Sequence, residues 1–239
     1  ALKRDPELAT RTLDPVRQHL IDTYDGGFFR YAEGRDWSDP HREKLADENG
    51  ALCRAFANAY LHTGDDAYRE TAEDVLGFLT STLWTGAGVA GSQAPAAEGY
   101  YRRSPSEREA AGDPPIDPTV FADRNAVVAD GLLAYHAYTD DDSARRYAER
   151  ILATLDGLLD DGAVAHHDDP GAPVGLLVDQ AAVTRAFATA AQVIDRSYES
   201  TAVAAAEYAI DALPTGAGFA DGPRSGPGLL SRPLYSVDG

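Results

Sequence analysis

Methionine is absent from this 239-residue chain, cysteine occurs once, at Cys53, and lysine occurs only at positions 3 and 44. A single cysteine excludes an internal disulfide framework, a CxxC redox pair and a cysteine-built zinc cluster. No apolar run approaches the roughly 20 residues that a membrane span needs. Positive charge is scarce: 21 Lys and Arg face 39 Asp and Glu, for a formal net charge of −18. Such a surface has little to offer nucleic-acid phosphates or an anionic membrane, so neither is expected as a partner. The acidic excess sits in runs such as Asp140-Asp141-Asp142 and Asp160-Asp161. It repels itself at ordinary salt, whereas near molar salt the screening length falls to about 3 Å. The composition reads as that of an extreme halophile's cytoplasmic protein. The missing Met and the start at Ala1-Leu2-Lys3-Arg4 lead us to expect a piece of a longer polypeptide.

What is present is ordinary globular material, with enough apolar residues for a sizeable core. Its dominant pattern is repetition. Ala59 to Asp66 leads into Tyr68 to Leu79, Ala134 to Asp141 into Tyr147 to Leu158, and Ala190 to Asp195 into Tyr198 to Leu213. Each reads as a helix end, a polar turn and a second helix with apolar residues at helical spacing. Asp47-Glu48-Asn49-Gly50, Asp123-Arg124-Asn125-Ala126 and Asp179-Gln180-Ala181-Ala182 precede the first helix of each pair, and Ser236-Val237-Asp238-Gly239 resembles a fourth such start. The first helices are apolar all round, as an inner layer should be; the second are amphipathic, as an outer layer should be. Gly turns with short apolar stretches follow the outer helices, for example Thr85 to Ala90 and Thr215 to Ala220, and read as short hairpins. The expected fold is therefore all-α: an (α/α) toroid of helical hairpins with β-hairpin links, one domain over residues 1–239, incomplete relative to a six-hairpin barrel. The long segment 86–121 exceeds a mere connector and is a candidate functional loop.

The run Tyr24-Asp25-Gly26-Gly27-Phe28-Phe29-Arg30-Tyr31, then Arg35-Asp36-Trp37 and Pro40-His41-Arg42-Glu43-Lys44-Leu45, resembles the thioredoxin-domain-containing family related to spermatogenesis-associated protein 20. That family reads GGFxRY, RxW and PHFEKMLYDNA. Here Arg42, Leu45, Ala46, Asp47 and Glu48 depart from the last pattern and Asn49 is kept. A weaker likeness runs on to Arg232-Pro233 and Val237-Asp238-Gly239. The resemblance implies a six-hairpin toroid similar to acylglucosamine 2-epimerases and to several glycosidases. It also implies a thioredoxin-like domain elsewhere in the same polypeptide as a possible partner.

The best candidate site is the segment from Phe29 to Asn49. A sugar site needs an aromatic platform, hydroxyl-binding polar groups and a group that titrates near neutrality. For 2-epimerisation or aldose–ketose isomerisation, His41 is the candidate base with Glu43 or Glu48 as partner. Arg30, Tyr31, Asp36, Trp37, Lys44 and Asn49 are candidate substrate-binding residues. Asp123, Asn125 and Asp179 are pocket walls or helix caps. The expected ligand is a small molecule, with a sugar as the leading candidate; no cofactor is implied. A glycosidase-like hydrolase, with two carboxylates flanking the scissile bond, and a non-catalytic helical scaffold are the alternatives. No metal site is assigned: in His166-His167-Asp168-Asp169 adjacent side chains of an extended segment diverge. Gly86 to Gly91 matches GxGxxG but follows a helix, which excludes a dinucleotide site.

Overall fold

A computed structural model describes residues 6–97 and 99–223, so Arg232-Pro233 and the Ser236 to Gly239 motif lie outside the described residues. In chain order the elements are α1 (Pro6–His19), β1 (Tyr31–Ala32), β2 (Pro40–His41), β3 (Lys44–Leu45), α2 (Ala46–Thr63), α3 (Asp66–Ser81), β4 (Ser92–Gln93), α4 (Pro105–Ala111) and β5 (Ile116–Asp117). They continue with α5 (Ala122–Thr139), α6 (Asp142–Asp156), β6 (Leu159–Asp160), β7 (Ala163–Val164), α7 (Leu177–Val193) and α8 (Glu199–Ala212). Strands β1 and β2 pair antiparallel, β3, β4 and β5 form a small sheet in that order, and β6 pairs β7. Among the described residues no helix is long and apolar enough to cross a membrane.

Helices α2, α5 and α7 form the inner layer and α3, α6 and α8 the outer one, each inner helix packing on its own outer partner. The outer helices start at the polar turns, where Asp65 accepts the Ala67 N–H and Asp141 the Ala144 N–H, as N-caps do. Their apolar stripes, for example Ala144, Ala148, Ile151, Leu152 and Leu155 on α6, face the inner layer. The inner helices are parallel neighbours. Arg54 of α2 and Arg185 of α7 both ion-pair with Asp130 of α5, and all three stand eight residues on from the first residue of their helix. The α2–α5 approach is close enough that only glycine fits. A Cβ on Gly131 would stand 2.4 Å from the Gly50 carbonyl oxygen, and one on Gly50 would stand 2.7 Å from Val128 Cα.

The inner helices begin earlier than the sequence pattern implies. They start at Ala46, Ala122 and Leu177, so the acidic and amide residues lie inside the first turn rather than before it. The capping positions are the apolar Leu45, Phe121 and Leu176, none with a side-chain cap bond. The helices are instead capped by the hairpins. The Ala46, Ala122 and Leu177 N–H groups donate to the carbonyls of Gly91, His166 and Asp221. Three residues further on, Asn49, Asn125 and Gln180 grip the hairpin that precedes each helix. Asn49 accepts from Phe28 N and donates to Phe28 O; Asn125 does the same at Val89; Gln180 accepts from Val164 N and donates to Gly162 O. This shifts the third repeat by one residue: Gln180, not Asp179, is the counterpart of Asn49 and Asn125.

The glycine contacts generate a prediction of opposite signs for one chemical change. Gly131→Ala drives a methyl into the Gly50 backbone and should destabilise by about 1–3 kcal/mol, the usual cost of overpacking. Gly77 lies in exposed α3 with nothing within 4 Å of a new Cβ, so Gly77→Ala should stabilise by about 0.5–1 kcal/mol. Urea unfolding of both variants in molar salt measures the two shifts.

Candidate functional site

The parallel inner helices bring their first turns to one end of the molecule, and chemically useful side chains concentrate there. On α2 these are Asp47 and Glu48, on α5 Asp123 and Arg124, and on α7 Asp179. Arg30, just before β1, reaches this end: its guanidinium is 3.0 Å from Glu43 Oε2 and 3.7 Å from Glu48 Oε1. Burial, with the neighbouring charges of Asp47 and Glu43, raises the Glu48 carboxyl above its ordinary value of 4.5, while Arg30 and Arg124 pull it back down. Asp47 Oδ1 is sealed from solvent without a hydrogen-bond partner. Arg124 lies over the Phe121 ring and donates to the Gly91 carbonyl at 2.9 Å.

A second cluster adjoins at the α5–α7 junction. His166, from the segment after β7, places Nδ1 3.0 Å from each oxygen of Asp179, which is fully buried. Asp179 also accepts the Asp123 backbone N–H at 3.2 Å, so it caps the neighbouring helix rather than its own. Burial pushes the Asp179 carboxyl up to about 6, even though the hydrogen bond and charge of His166 pull it down. The His166 and His167 rings do not diverge as expected: they meet edge-on at 5.8 Å and both pack on Phe121, although His166 Nδ1 turns to Asp179 and His167 Nδ1 to Asp169. The ion-pair partner of His166 is on an inner helix.

Several sequence candidates are placed elsewhere. Lys44 is fully buried: its ammonium is 3.0 Å from Asp22 Oδ2, donates to Gly26 O at 2.7 Å, and lies over the Phe29 and Phe78 rings. Asn49 and Asn125 are also fully buried, with both amide hydrogens committed to backbone carbonyls. These three side chains have no face to offer a ligand, because each satisfies buried backbone or a buried charge. Trp37 has φ 66° and stacks on His19 of α1 at 5.7 Å, away from the inner-helix ends. Asp36 is exposed and closes its own turn through both Ser38 N and Oγ. His41 stacks on Tyr31 across the β1–β2 hairpin at 5.0 Å, with Nδ1 sealed and unpartnered. It lines a cleft of about 470 Å³ with Glu33, Asp39, Arg42, Tyr101 and Arg102, and Trp37 is not part of that lining. Trp37 thus stands apart from the His41 cleft, while Arg30, Glu43 and Glu48 stand together.

The loop 86–121 carries a residue that the sequence did not flag. Arg108 of α4 is buried and binds Asp22 at 2.9 and 3.0 Å, Asp25 at 2.6 Å and the Tyr101 carbonyl at 3.0 Å, beneath the rings of Tyr24, Tyr100 and Tyr101. Burial alone would raise the Asp22 carboxyl, but Lys44 and Arg108 outweigh it and hold it below 3.8.

The chain is 32% identical to mouse spermatogenesis-associated protein 20 over 81 residues, which are 34% of this chain and 10% of that protein. It thus spans about a tenth of the curated relative it matches. No family model matches. The fold is shared with solved α/α toroids. A cellobiose 2-epimerase from Bacillus thermoamylovorans B4167 superposes with TM-score 0.68 and 16% identity, covering 84% of this chain and 53% of that one. An α-1,6-mannanase of Salegentibacter sp. HEL1_6, in complex with α-1,6-mannotetrose, gives 0.67 and 17%, covering 92% and 61%. The all-α toroid expected from the repeats, and the likeness to the spermatogenesis-associated family, both stand.

The Glu48 environment fixes a pH dependence. A folded-state value raised above 4.5 means that the native chain holds this proton more tightly than the unfolded chain. Unfolding free energy therefore falls as pH rises from about 4.5 through the raised value. Glu48→Gln should remove that fall from the stability–pH curve. By carboxyl-carbon NMR, Arg30→Gln should move the Glu48 titration upward and Asp47→Asn should move it downward.

Proposed function

We propose that this chain is the sugar-handling part of a carbohydrate-modifying toroid, of the sugar 2-epimerase or aldose–ketose isomerase type. The carrying observation is Glu48: a carboxyl with a raised pKa, beside Arg30, at the end where three inner helices present their first turns, in a fold shared with a cellobiose 2-epimerase. A carboxylate whose pKa is raised by burial and like charge is a stronger base than a free one, which suits proton abstraction. In this reading Glu48 as carboxylate takes the proton from the carbon next to the sugar's carbonyl. Arg30 steadies the negative oxygen that forms, and Glu43 fixes the Arg30 guanidinium by their 3.0 Å contact. The N-terminal ends of the inner helices add partial positive charge at the same end. His41, with its sealed Nδ1 in the neighbouring cleft, is the second candidate proton carrier, and Tyr31 stacked on it supplies a flat aromatic face.

The test is exchange of the C2 proton of a panel of aldoses and β-linked disaccharides in D₂O at molar salt, followed by NMR. Exchange is expected, reduced about 10²-fold or more by Glu48→Gln, with a smaller loss for His41→Gln. Release of mannose from mannooligosaccharides without C2 exchange would replace this reading with a hydrolase. Neither reaction, together with no sugar-induced shift of Tm, would leave the helical scaffold.

A further inference from the structure

The Asp123–His166–Asp179 cluster has a feature that sugar binding does not use. One donor atom from each residue lies within 4.8 Å of the other two. Asp179 is fully buried. Asp123 Oδ1 is sealed from solvent and accepts no hydrogen bond. A buried carboxylate oxygen without a partner is costly, and here it stands beside a second buried carboxylate whose only side-chain partner is a single imidazole nitrogen. Two carboxylates on helix ends and one imidazole from the return segment after β7 make a negative, partly desolvated donor set.

We infer that Asp123, His166 and Asp179 form a binding site for one divalent first-row transition-metal ion, such as Mn²⁺ or Zn²⁺. One nitrogen and two carboxylate oxygens suit these ions better than the all-oxygen set preferred by Ca²⁺ or Mg²⁺. Metal–donor bonds of about 2.0–2.2 Å would draw the three donors to roughly 3.5 Å of one another, a modest contraction from the present spacing. Binding through Nδ1 exchanges the His166 hydrogen bond to Asp179 for shared coordination, and the orphaned Asp123 oxygen gains its partner. Three protein ligands leave positions on the ion for water or another small oxygen donor. The two ligand helices are already locked together by the Asp123 N–H bond to Asp179 and the Asp130–Arg185 pair. The two carboxylates are therefore presented by the packed inner layer, and His166, from the segment after β7, is tied to it by the Ala122 N–H bond to its carbonyl. This site does not depend on the sugar reading, and its readout is metal binding itself.

The experiment is titration of the chelator-treated full chain with MnCl₂ and ZnCl₂ in molar KCl, which suppresses diffuse cation binding to the acidic surface. Calorimetry and Mn²⁺ paramagnetic resonance supply the counts. One bound ion per chain is expected, with affinity lowered about tenfold or more in Asp123→Asn and in His166→Gln and unchanged in His167→Gln. In the wild-type chain, substoichiometric Mn²⁺ should broaden the His166 ring signals while sparing those of His62 and His136, a readout that needs no variant to fold. Lack of stoichiometric binding in molar KCl would overturn the inference, as would binding that Asp123→Asn and His166→Gln leave intact, or broadening spread evenly over the histidines. Loss of sugar turnover with metal binding retained would count against the proposed function alone.

Discussion

Two return hairpins among the described residues are held from two sides by the first turns of successive inner helices. The hairpin closed by the Trp84–Val89 bridge gives its Gly91 carbonyl to the Ala46 N–H of α2 and its Val89 backbone to the Asn125 side chain of α5. The next hairpin does the same between Ala122 and Gln180. Helix ends that would otherwise leave N–H groups orphaned are thus satisfied by the strand-like segments they support. The inner helices consequently share one height and one direction. Their third positions carry charged side chains: Glu48, Arg124 and Asp179.

That division of labour explains the layout of the functional end. The fourth residue of each inner helix is an amide that is spent on backbone, whereas the third is charged and is held mainly by long-range partners: Glu48 by Arg30, Arg124 by the Gly91 carbonyl, and Asp179 by His166 and the Asp123 N–H. Glu48, Arg124 and Asp179 occupy the same register on three neighbouring helices, and Asp123 lies one step earlier beside Asp179. The environments then differ by depth. Glu48 stands near Arg30 and Arg124 and keeps partial access to water, while Asp179 is enclosed with His166. One set of positions thereby yields a polar, sugar-compatible patch and a closed carboxylate–imidazole cluster.

The helical repeats were legible in the sequence because their signals are local: polar turns such as Gly64-Asp65-Asp66, apolar spacing on α3 and α6, and Gly-containing returns. The inner-helix starts were not, because the usual side-chain cap is missing and the capping groups come from carbonyls tens of residues away. Asn49 and Asn125 were visible as polar residues at helix starts, but amide clamps and ligand contacts look alike in one dimension. Lys44 was misplaced for a related reason. Its neighbours in sequence are charged and suggest a surface, yet its partner Asp22 and the Arg108 that completes the cluster lie 22 and 64 residues from it. His166 was seen only next to His167, and the helix that receives it begins eleven residues later. Arg30, Glu43 and Glu48 lie together because all three fall within one short segment that folds back on itself.

The anchoring of Arg108 bears on how the functional end admits anything. The segment that crosses from α3 to α5 is pinned at two points, by the β3–β4–β5 sheet and by a guanidinium sunk between Asp22 and Asp25 under three tyrosine rings. Pulling that guanidinium out would leave the buried Asp22 with Lys44 as its cation and cost Asp25 its ion pair. The segment is therefore a fixed collar and not a swinging flap, and the cleft that its Ala96, Tyr101 and Arg102 line beside His41 keeps one shape.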